Sequence, residues 1–163
     1  HLKDSKRYEE DKVLTKTMIN NYAKNNLLPP PVKKKYSREH MLLLVFIYYF
    51  KNMLSFHDIE ALFAPITEGH FMDASGLSLQ DIYEEVFSME YEQMKRLKED
   101  LLRKFHASEE SFTDQKEDKD YLQLFTFICA LGFDVFLKKQ AMEMLIDQIR
   151  EDYPVDHSKK KKS

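Results

Sequence analysis

The sequence contains few of the residues that interrupt helices. Its 163 residues include three glycines and five prolines, and three of the prolines are adjacent. Glycine and proline weaken or end regular structure, so their scarcity leaves long stretches free to be helical. Leu, Lys, Glu and Met, which favour helices, are abundant, and 43% of the chain is apolar, enough for a packed core. We therefore predict an all-α protein of one ordinary domain or two small ones.

Residues that bind metals or carry out catalysis are also scarce. The single cysteine, Cys129, excludes an internal disulfide and a thiolate metal cluster. The six histidines are not spaced as metal ligands, either from one another or from Cys129. The sequence has no glycine-rich phosphate loop and no set of nucleophile, base and oxyanion donors. We therefore expect no cofactor, no metal and no enzymatic activity, and a reducing, cytoplasmic location.

No hydrophobic run reaches the roughly twenty residues that a membrane-spanning helix needs. The two most apolar runs are residues 41–50 and residues 124–137, and Asp134 interrupts the second. We predict that both runs are buried helices. The protein is therefore not expected to bind a membrane.

Acidic residues are scarce in one stretch of the chain. Residues 14–40 contain six lysines and arginines and one glutamate, whereas residues 41–157 contain 11 basic and 23 acidic residues. The overall charge of −3 hides this division. A short basic segment on an acidic body is typical of a surface that contacts the phosphates of a nucleic acid.

The basic segment begins with a predicted short helix. Thr15 and Thr17 can each accept a hydrogen bond from the exposed amides of a helix start, and the residues that follow contain no glycine or proline. The helix is predicted over residues 16–25. Its apolar residues fall at helical spacing and can face a core, while lysines and asparagines project from another face.

A stop and a turn follow this helix. Asn26 suits the left-handed position after a helix, and the prolines at 29–31 prevent the helix from continuing. Lys33, Lys34 and Lys35 come next, and a new helix is predicted to start at Ser37.

The order of these elements resembles the N-terminal DNA-binding domain of the MerR-like regulators. That family reads a Ser or Thr cap, a Thr-Leu-Arg-Tyr-Tyr helix, Gly-Leu-Leu-Pro-Pro, an Arg-x-Tyr wing, and an apolar helix ending in Gly-Phe-Ser-Leu-x-x-Ile. The matching strings here are MINNY at 18–22, NLLPP at 26–30, KKY at 34–36 and MLSFHDI at 53–59. The string LTKTMINNYAK is also similar to a bacterial domain-of-unknown-function family of regulators related to that fold.

The resemblance implies a winged helix-turn-helix over residues 14–66, with a minimal wing as an option, that binds double-stranded DNA and controls transcription. Repression is expected rather than activation. Asparagine amides match adenine edges in the major groove, and lysines match phosphates. A solvated surface is the alternative interpretation of these side chains. The expected DNA-contacting residues are Thr15, Lys16, Thr17, Asn20, Asn21, Tyr22, Lys24, Lys33, Lys34, Lys35 and Tyr36.

The rest of the chain is predicted to form a second helical part. Residues 67–78 contain two of the three glycines and are the expected linker. Residues 79–153 read as two long helices joined by a polar loop, which would form an antiparallel hairpin for dimerisation or sensing. Its apolar surface is too large for one hairpin to cover, so we expect a homodimer through these helices. No motif for a small-molecule effector is recognised.

Two short segments flank these parts. Residues 154–163 read as a solvated basic tail, and residues 1–13 as an exposed lead-in. The MerR-like regulators place another helix before the motif, and only thirteen residues precede Leu14 here. The alternative expectation is therefore that this chain is a fragment from which the first helix is missing.

A second function fits the same residues. The arginine and first tyrosine of the MerR-like helix correspond to Asn20 and Asn21, and the two glycines correspond to Asn26 and Met53. The missing arginine and the acidic body favour a protein-interaction adaptor that keeps the helix-turn-helix scaffold without touching DNA.

Overall fold

The computed structural model describes residues 13–71 and 76–154 of the chain. Within these residues the helices are α1 (Lys16–Lys24), α2 (Arg38–Phe50), α3 (Phe56–Gly69), α4 (Leu79–Glu109) and α5 (Lys119–Asp152). The described residues contain no strand, and one isolated antiparallel bridge joins Val32 to Lys35. The prediction of an all-α protein is confirmed.

The chain divides into two compact units. Among the described residues, the N-terminal unit comprises residues 13–71, 76–83 and 143–154, and the hairpin unit comprises residues 84–142. This division differs from the predicted one, because residues 67–69 complete α3 and the boundary follows residue 83 rather than lying within 67–78. Residues 1–12 of the predicted lead-in, 72–75 of the predicted linker and 155–163 of the predicted tail lie outside the described residues.

Local signals fix the helix ends of the N-terminal unit. The Thr15 hydroxyl accepts a hydrogen bond from the Met18 amide at 3.1 Å and caps α1, whereas Thr17 is the second residue of the helix. Asn26 has the predicted left-handed backbone, with φ at 60°. At the start of α3 the Ser55 hydroxyl accepts from the Asp58 amide at 3.2 Å, and the Asp58 carboxylate accepts from the Ser55 amide at 3.1 Å, which completes a capping box.

Pro65 lies inside α3, although proline is disfavoured in the interior of a helix. Proline lacks the N–H that would bond to the Ala61 carbonyl, and it costs about 3 kcal/mol within a helix. The buried face of α3 offsets this cost, since Ile59 and Phe63 are both in the core and the Phe63 ring contacts that of Phe46 at 5.9 Å between centroids. Packing therefore outweighs the local preference of Pro65.

The N-terminal unit has a continuous apolar core. The core draws on α1, the Leu-Leu pair after it, α2, α3 and the residues that flank the linker, together with the C-terminal part of α5. The predicted burial of residues 41–50 is confirmed for Leu43, Leu44, Phe46 and Ile47, whereas Met41 and Tyr49 in the same run are exposed. The buried apolar residues are Tyr22, Leu27, Leu28, Leu43, Leu44, Phe46, Ile47, Leu54, Ile59, Ala61, Phe63, Phe71, Leu79 and Ile146.

The hairpin unit is a pair of antiparallel helices. Lys104 of α4 forms an ion pair with Asp134 of α5, and the Phe105 ring contacts the Phe127 ring at 5.5 Å between centroids. Residues further along α4 contact residues earlier in α5. The two helices are therefore antiparallel, as predicted for a hairpin.

The prediction that residues 124–137 are buried is wrong. Leu124, Phe125, Ile128 and four further apolar residues of this run are more than half exposed. Of the described residues, only α5 forms a helix long and apolar enough to cross a membrane by length and composition, with a mean hydropathy of 1.5 over an 18-residue window. These two criteria do not distinguish a membrane span from a helix that another protein surface covers.

Candidate nucleic-acid interface

The exposed face of α1 carries the polar residues that the sequence analysis selected. At about 100° per residue, its five exposed positions span roughly 140° of the helix surface. The opposite face contains Met18, Ile19 and the buried Tyr22. The exposed positions are Lys16, Thr17, Asn20, Asn21 and Lys24.

No carboxylate lies on α1. Its first turn contains no acid, and its last residue is Lys24. At its C-terminal end the Asn25 side chain donates to the Asn21 carbonyl at 2.8 Å, which satisfies an acceptor that the helix leaves open. The positive end of the helix dipole and the two lysines are therefore not neutralised by the helix itself.

The lysine turn, Val32–Lys35, is a tight reversal of the chain. The Lys35 amide donates to the Val32 carbonyl at 2.9 Å, and the two central residues, Lys33 and Lys34, have φ values of 49° and 62°. Positive φ at both central positions defines the type I′ hairpin turn, which Asn-Gly prefers. A residue with a Cβ pays about 1–2 kcal/mol for this backbone. Both lysines are exposed, so their side chains gain no packing in return.

His40 holds the base of the lysine turn. The Ser37 amide donates to His40 Nδ1 at 3.0 Å, and since an amide can only donate, Nδ1 carries no proton. The ring proton is on Nε2, which donates to the Pro29 carbonyl at 3.2 Å. The ring is 1% exposed and meets the rings of Tyr36 and Phe71 edge to face, at 5.3 and 4.8 Å between centroids. One imidazole thus joins the proline run, the start of α2 and the chain after α3.

A second connection joins α3 to the C-terminal end of α5 within the N-terminal unit. Arg150 donates to Asp58 at 2.6 Å, and Asp58 also closes the capping box with Ser55. Burial would raise the pKa of Asp58, but the hydrogen bonds from Ser55 and Arg150 outweigh it and hold the pKa below the ordinary value of 3.8. Asp58 is therefore ionised at neutral pH, and its charge is used inside the unit.

A shallow cavity lies where α1 ends and α3 begins. Its volume is about 220 Å³, and it is lined by Asn25, Phe56, His57 and Glu60. Small-molecule sites usually enclose about 300–1,000 Å³. This cavity is too small to indicate an effector site.

The predicted contact residues fall into three groups. Tyr22 is 5% exposed and burial raises the pKa of its phenol, so this side chain belongs to the core and is not available to DNA. The Thr15 hydroxyl is occupied by the α1 cap. The remaining nine are exposed, namely Lys16, Thr17, Asn20, Asn21, Lys24, Lys33, Lys34, Lys35 and Tyr36.

The sequence analysis did not identify the residues that hold the lysine turn and α3 in place. Ser37 and His40 have the spacing of a capping box, with histidine in the position that Glu or Gln usually takes. That spacing was a usable signal for a role of His40. The pairing of Asp58 with Arg150 spans 92 positions and has no local signal.

Other candidate sites are weak. In the described ranges, no group of three or more His, Cys, Asp or Glu side chains is placed to hold a metal ion. Cys129 lies partly buried in α5.

Comparison with known proteins gives one match. The family described as Domain of unknown function (DUF1836) matches residues 1–86, which is more than half of the chain. The match ends close to the boundary between the two units, after residue 83, so nearly all of the hairpin unit lies outside it. No curated protein and no solved structure matches the chain.

Proposed function

The chain belongs to the DUF1836 family, and on that premise we propose that its N-terminal unit binds double-stranded DNA as a MerR-like winged helix-turn-helix. The chain would act as a transcriptional regulator in the cytoplasm, with repression favoured over activation. The observation that carries the proposal is the exposed face of α1, which offers two lysines and two asparagines without a carboxylate.

The dimensions of α1 suit the major groove. Nine residues make a helix about 14 Å long, and the groove is about 12 Å wide and admits an α-helix. Asn20 and Asn21 would read base edges, since an asparagine amide can donate to and accept from adenine at once. Lys16 and Lys24, one at each end of the helix, would contact phosphates on the two walls of the groove.

The lysine turn would act as the wing. In the described part of the chain, no salt bridge involves Lys33, Lys34 or Lys35. Their charges are thus available to an external anion. Two lysines at positions that favour Asn-Gly are costly for the fold and gain nothing within it, as expected where strain is kept for function. His40 would fix the turn relative to α2 through Ser37.

Salt-dependent binding of a short duplex tests the proposal. Replacing Lys33, Lys34 and Lys35 together by alanine should weaken binding to all sequences and reduce the slope of log K against log salt by about 2–3, because each phosphate contact contributes about 0.9. Asn20→Ala should instead reduce the preference between duplexes by about 1–3 kcal/mol. The matched control is the alanine triple variant at Lys95, Arg96 and Lys98, which are exposed on α4. An unchanged slope in the wing variant would remove the lysine turn from the interface.

A second variant separates charge from backbone strain. Lys33→Asn with Lys34→Gly gives the turn its preferred residues and should raise the free energy of unfolding by about 1–2 kcal/mol. The same variant should bind DNA more weakly than the original chain. Unfolding in urea and fluorescence anisotropy measure the two effects. Unimpaired binding would show that Lys33 and Lys34 do not contribute to DNA binding.

The adaptor remains the second candidate. Asn20 stands where the MerR-like helix carries arginine, and Val32 in the lysine turn is 61% exposed, which would suit contact with a protein. The same titration decides between the two functions. Failure to bind bulk genomic DNA even at about 50 mM salt would favour the adaptor.

A further inference from the structure

The outer face of α5 in the hairpin unit is a continuous apolar stripe. We define the α5 stripe as six residues that are each 52–65% exposed, and at about 100° per residue they lie within roughly 120° of the helix surface. The opposite face of α5 is occupied by contacts within the hairpin, including those of Phe127 and Asp134. The stripe consists of Tyr121, Leu124, Phe125, Ile128, Val135 and Phe136.

The exposed area of the stripe is large. An aromatic side chain presents about 150–250 Å², so its three half-exposed rings and three aliphatic side chains leave roughly 500 Å² of apolar surface in water. Phe133 and Leu137, which are 67% and 62% exposed, extend this surface on one side. A stable protein interface takes about 800 Å² from each partner. The apolar area of the stripe, together with a rim of polar residues around it, reaches the area of a stable interface.

Gly132 lies in the middle of the stripe. Glycine inside a helix costs about 1 kcal/mol relative to alanine. A Cβ at this position would meet no described residue within 4 Å, so no contact within the described part of the chain requires a glycine here. A second helix that crosses α5 at this point would favour it, because a residue without a side chain lets two helix backbones approach most closely.

We propose that a second copy of this chain covers the α5 stripe, with the two α5 helices crossing antiparallel at Gly132. A two-fold axis through this point places Ile128 opposite the partner's Phe136, and the reverse, so that one surface serves both copies. The large side chains on either side of each glycine fill the hollow above the other. The α5 stripe carries no charge of its own and needs none from its partner.

A lipid bilayer fits this surface less well. The hairpin joins α5 to α4, whose part in this unit carries twelve charged residues, and the connecting loop adds four acids between residues 110 and 118. Asp134 interrupts the apolar run and is paired with Lys104. Inserting the hairpin into a bilayer would move many of these charges into hydrocarbon, at a cost of several kcal/mol each.

The first experiment measures self-association of the full chain by sedimentation equilibrium in the absence of DNA. The original chain should be a dimer, and Gly132→Leu should weaken the dimer about 10- to 100-fold, the effect of inserting bulk into a packed contact. Far-UV circular dichroism at low concentration should show the variant as helical as the original. Gly69→Leu is the matched control, since Gly69 also has nothing within 4 Å. A monomeric original chain, or equal affinities, overturns the proposal.

A second experiment locates the contact. With Cys129 changed to Ser, Gly132→Cys should form a disulfide-linked dimer under mild oxidation, because a bond requires the two Cα atoms to lie about 4.4–6.8 Å apart. Gly69→Cys in the same background should not. Flotation of the original chain with phosphatidylcholine–phosphatidylglycerol vesicles would overturn the proposal in favour of a membrane. Neither experiment contains DNA, so each outcome is independent of the proposed function.

Discussion

Two apolar runs of similar composition lie in opposite environments. Residues 41–50 form most of α2, where Leu43, Leu44 and Ile47 are at most 1% exposed. Residues 124–137 lie in α5, where Leu124 and Ile128 are more than half exposed. One face of the first run packs into the core of the N-terminal unit, whereas the second run has one helix beside it in the hairpin unit. Hydrophobicity predicts that the side chains of a run will be buried. The fold determines whether they are buried by other parts of the same chain.

Polar side chains also differ in burial between the two units. The N-terminal unit encloses His40 completely and gives both ring nitrogens partners. In the hairpin unit, Lys104 is shared between Asp100 and Asp134 near the surface, and the Gln123 side chain donates to the Ser111 carbonyl at 2.9 Å. Exposed ion pairs contribute little to stability, whereas buried hydrogen bonds are costly to lose.

The largest effect on stability should come from replacing a leucine by alanine, and the replacement is made once in each of the two apolar runs. Leu44→Ala removes a side chain that is 1% exposed and should lower the free energy of unfolding by about 2–5 kcal/mol. Leu124→Ala, at a position 55% exposed, should change it by less than about 1 kcal/mol in the monomer. Urea unfolding at concentrations below dimer formation measures both. Equal losses would mean that α5 has a core of its own.

The next effect tests the enclosed histidine. His40→Phe keeps an aromatic ring beside Tyr36 and Phe71 but leaves the Ser37 amide and the Pro29 carbonyl without partners. Such losses cost about 1–3 kcal/mol when the groups are buried. His57→Phe, at an exposed position in α3, should stay within about 0.5 kcal/mol. Thermal unfolding of the two variants should separate clearly, and similar midpoints would refute the role of His40.

The smallest effect is expected in the pH dependence of stability that Asp58 provides. Because the pKa of Asp58 is lowered in the folded chain, its contribution is present above the ordinary value of 3.8 and is lost as the pH falls through the folded pKa. Asp58→Asn should lower stability by about 1 kcal/mol at pH 7 and flatten the pH dependence of the unfolding midpoint below about pH 4. Asp114→Asn, in the exposed loop, should do neither. A curve for Asp58→Asn that parallels the original would contradict the pairing with Arg150.

Local signals explain most of what the sequence predicted correctly. The Thr15 cap and the left-handed Asn26 each depend on residues within four positions of one another. For the same reason the ends of the helices that carry the candidate interface could be placed from sequence, and so could the exposed side of α1.

Distant contacts explain what the sequence could not predict. Pro65 continues a helix because Phe63 and Phe46 pack across the core, which no window around Pro65 contains. The burial of Tyr22 depends in part on the ring of Phe56, 6.0 Å away between centroids. The lysine turn escaped prediction as a hairpin because its central residues are not Asn-Gly.

The enclosure of His40 also makes it a chemical reporter. Diethyl pyrocarbonate acylates accessible imidazoles, and the ring of His40 is 1% exposed, whereas His57 and His106 are open to reagent. Acylation of His40 must therefore wait for the N-terminal unit to open. Peptide mass spectrometry can detect that event at a single residue, and its rate is the opening rate of the N-terminal unit.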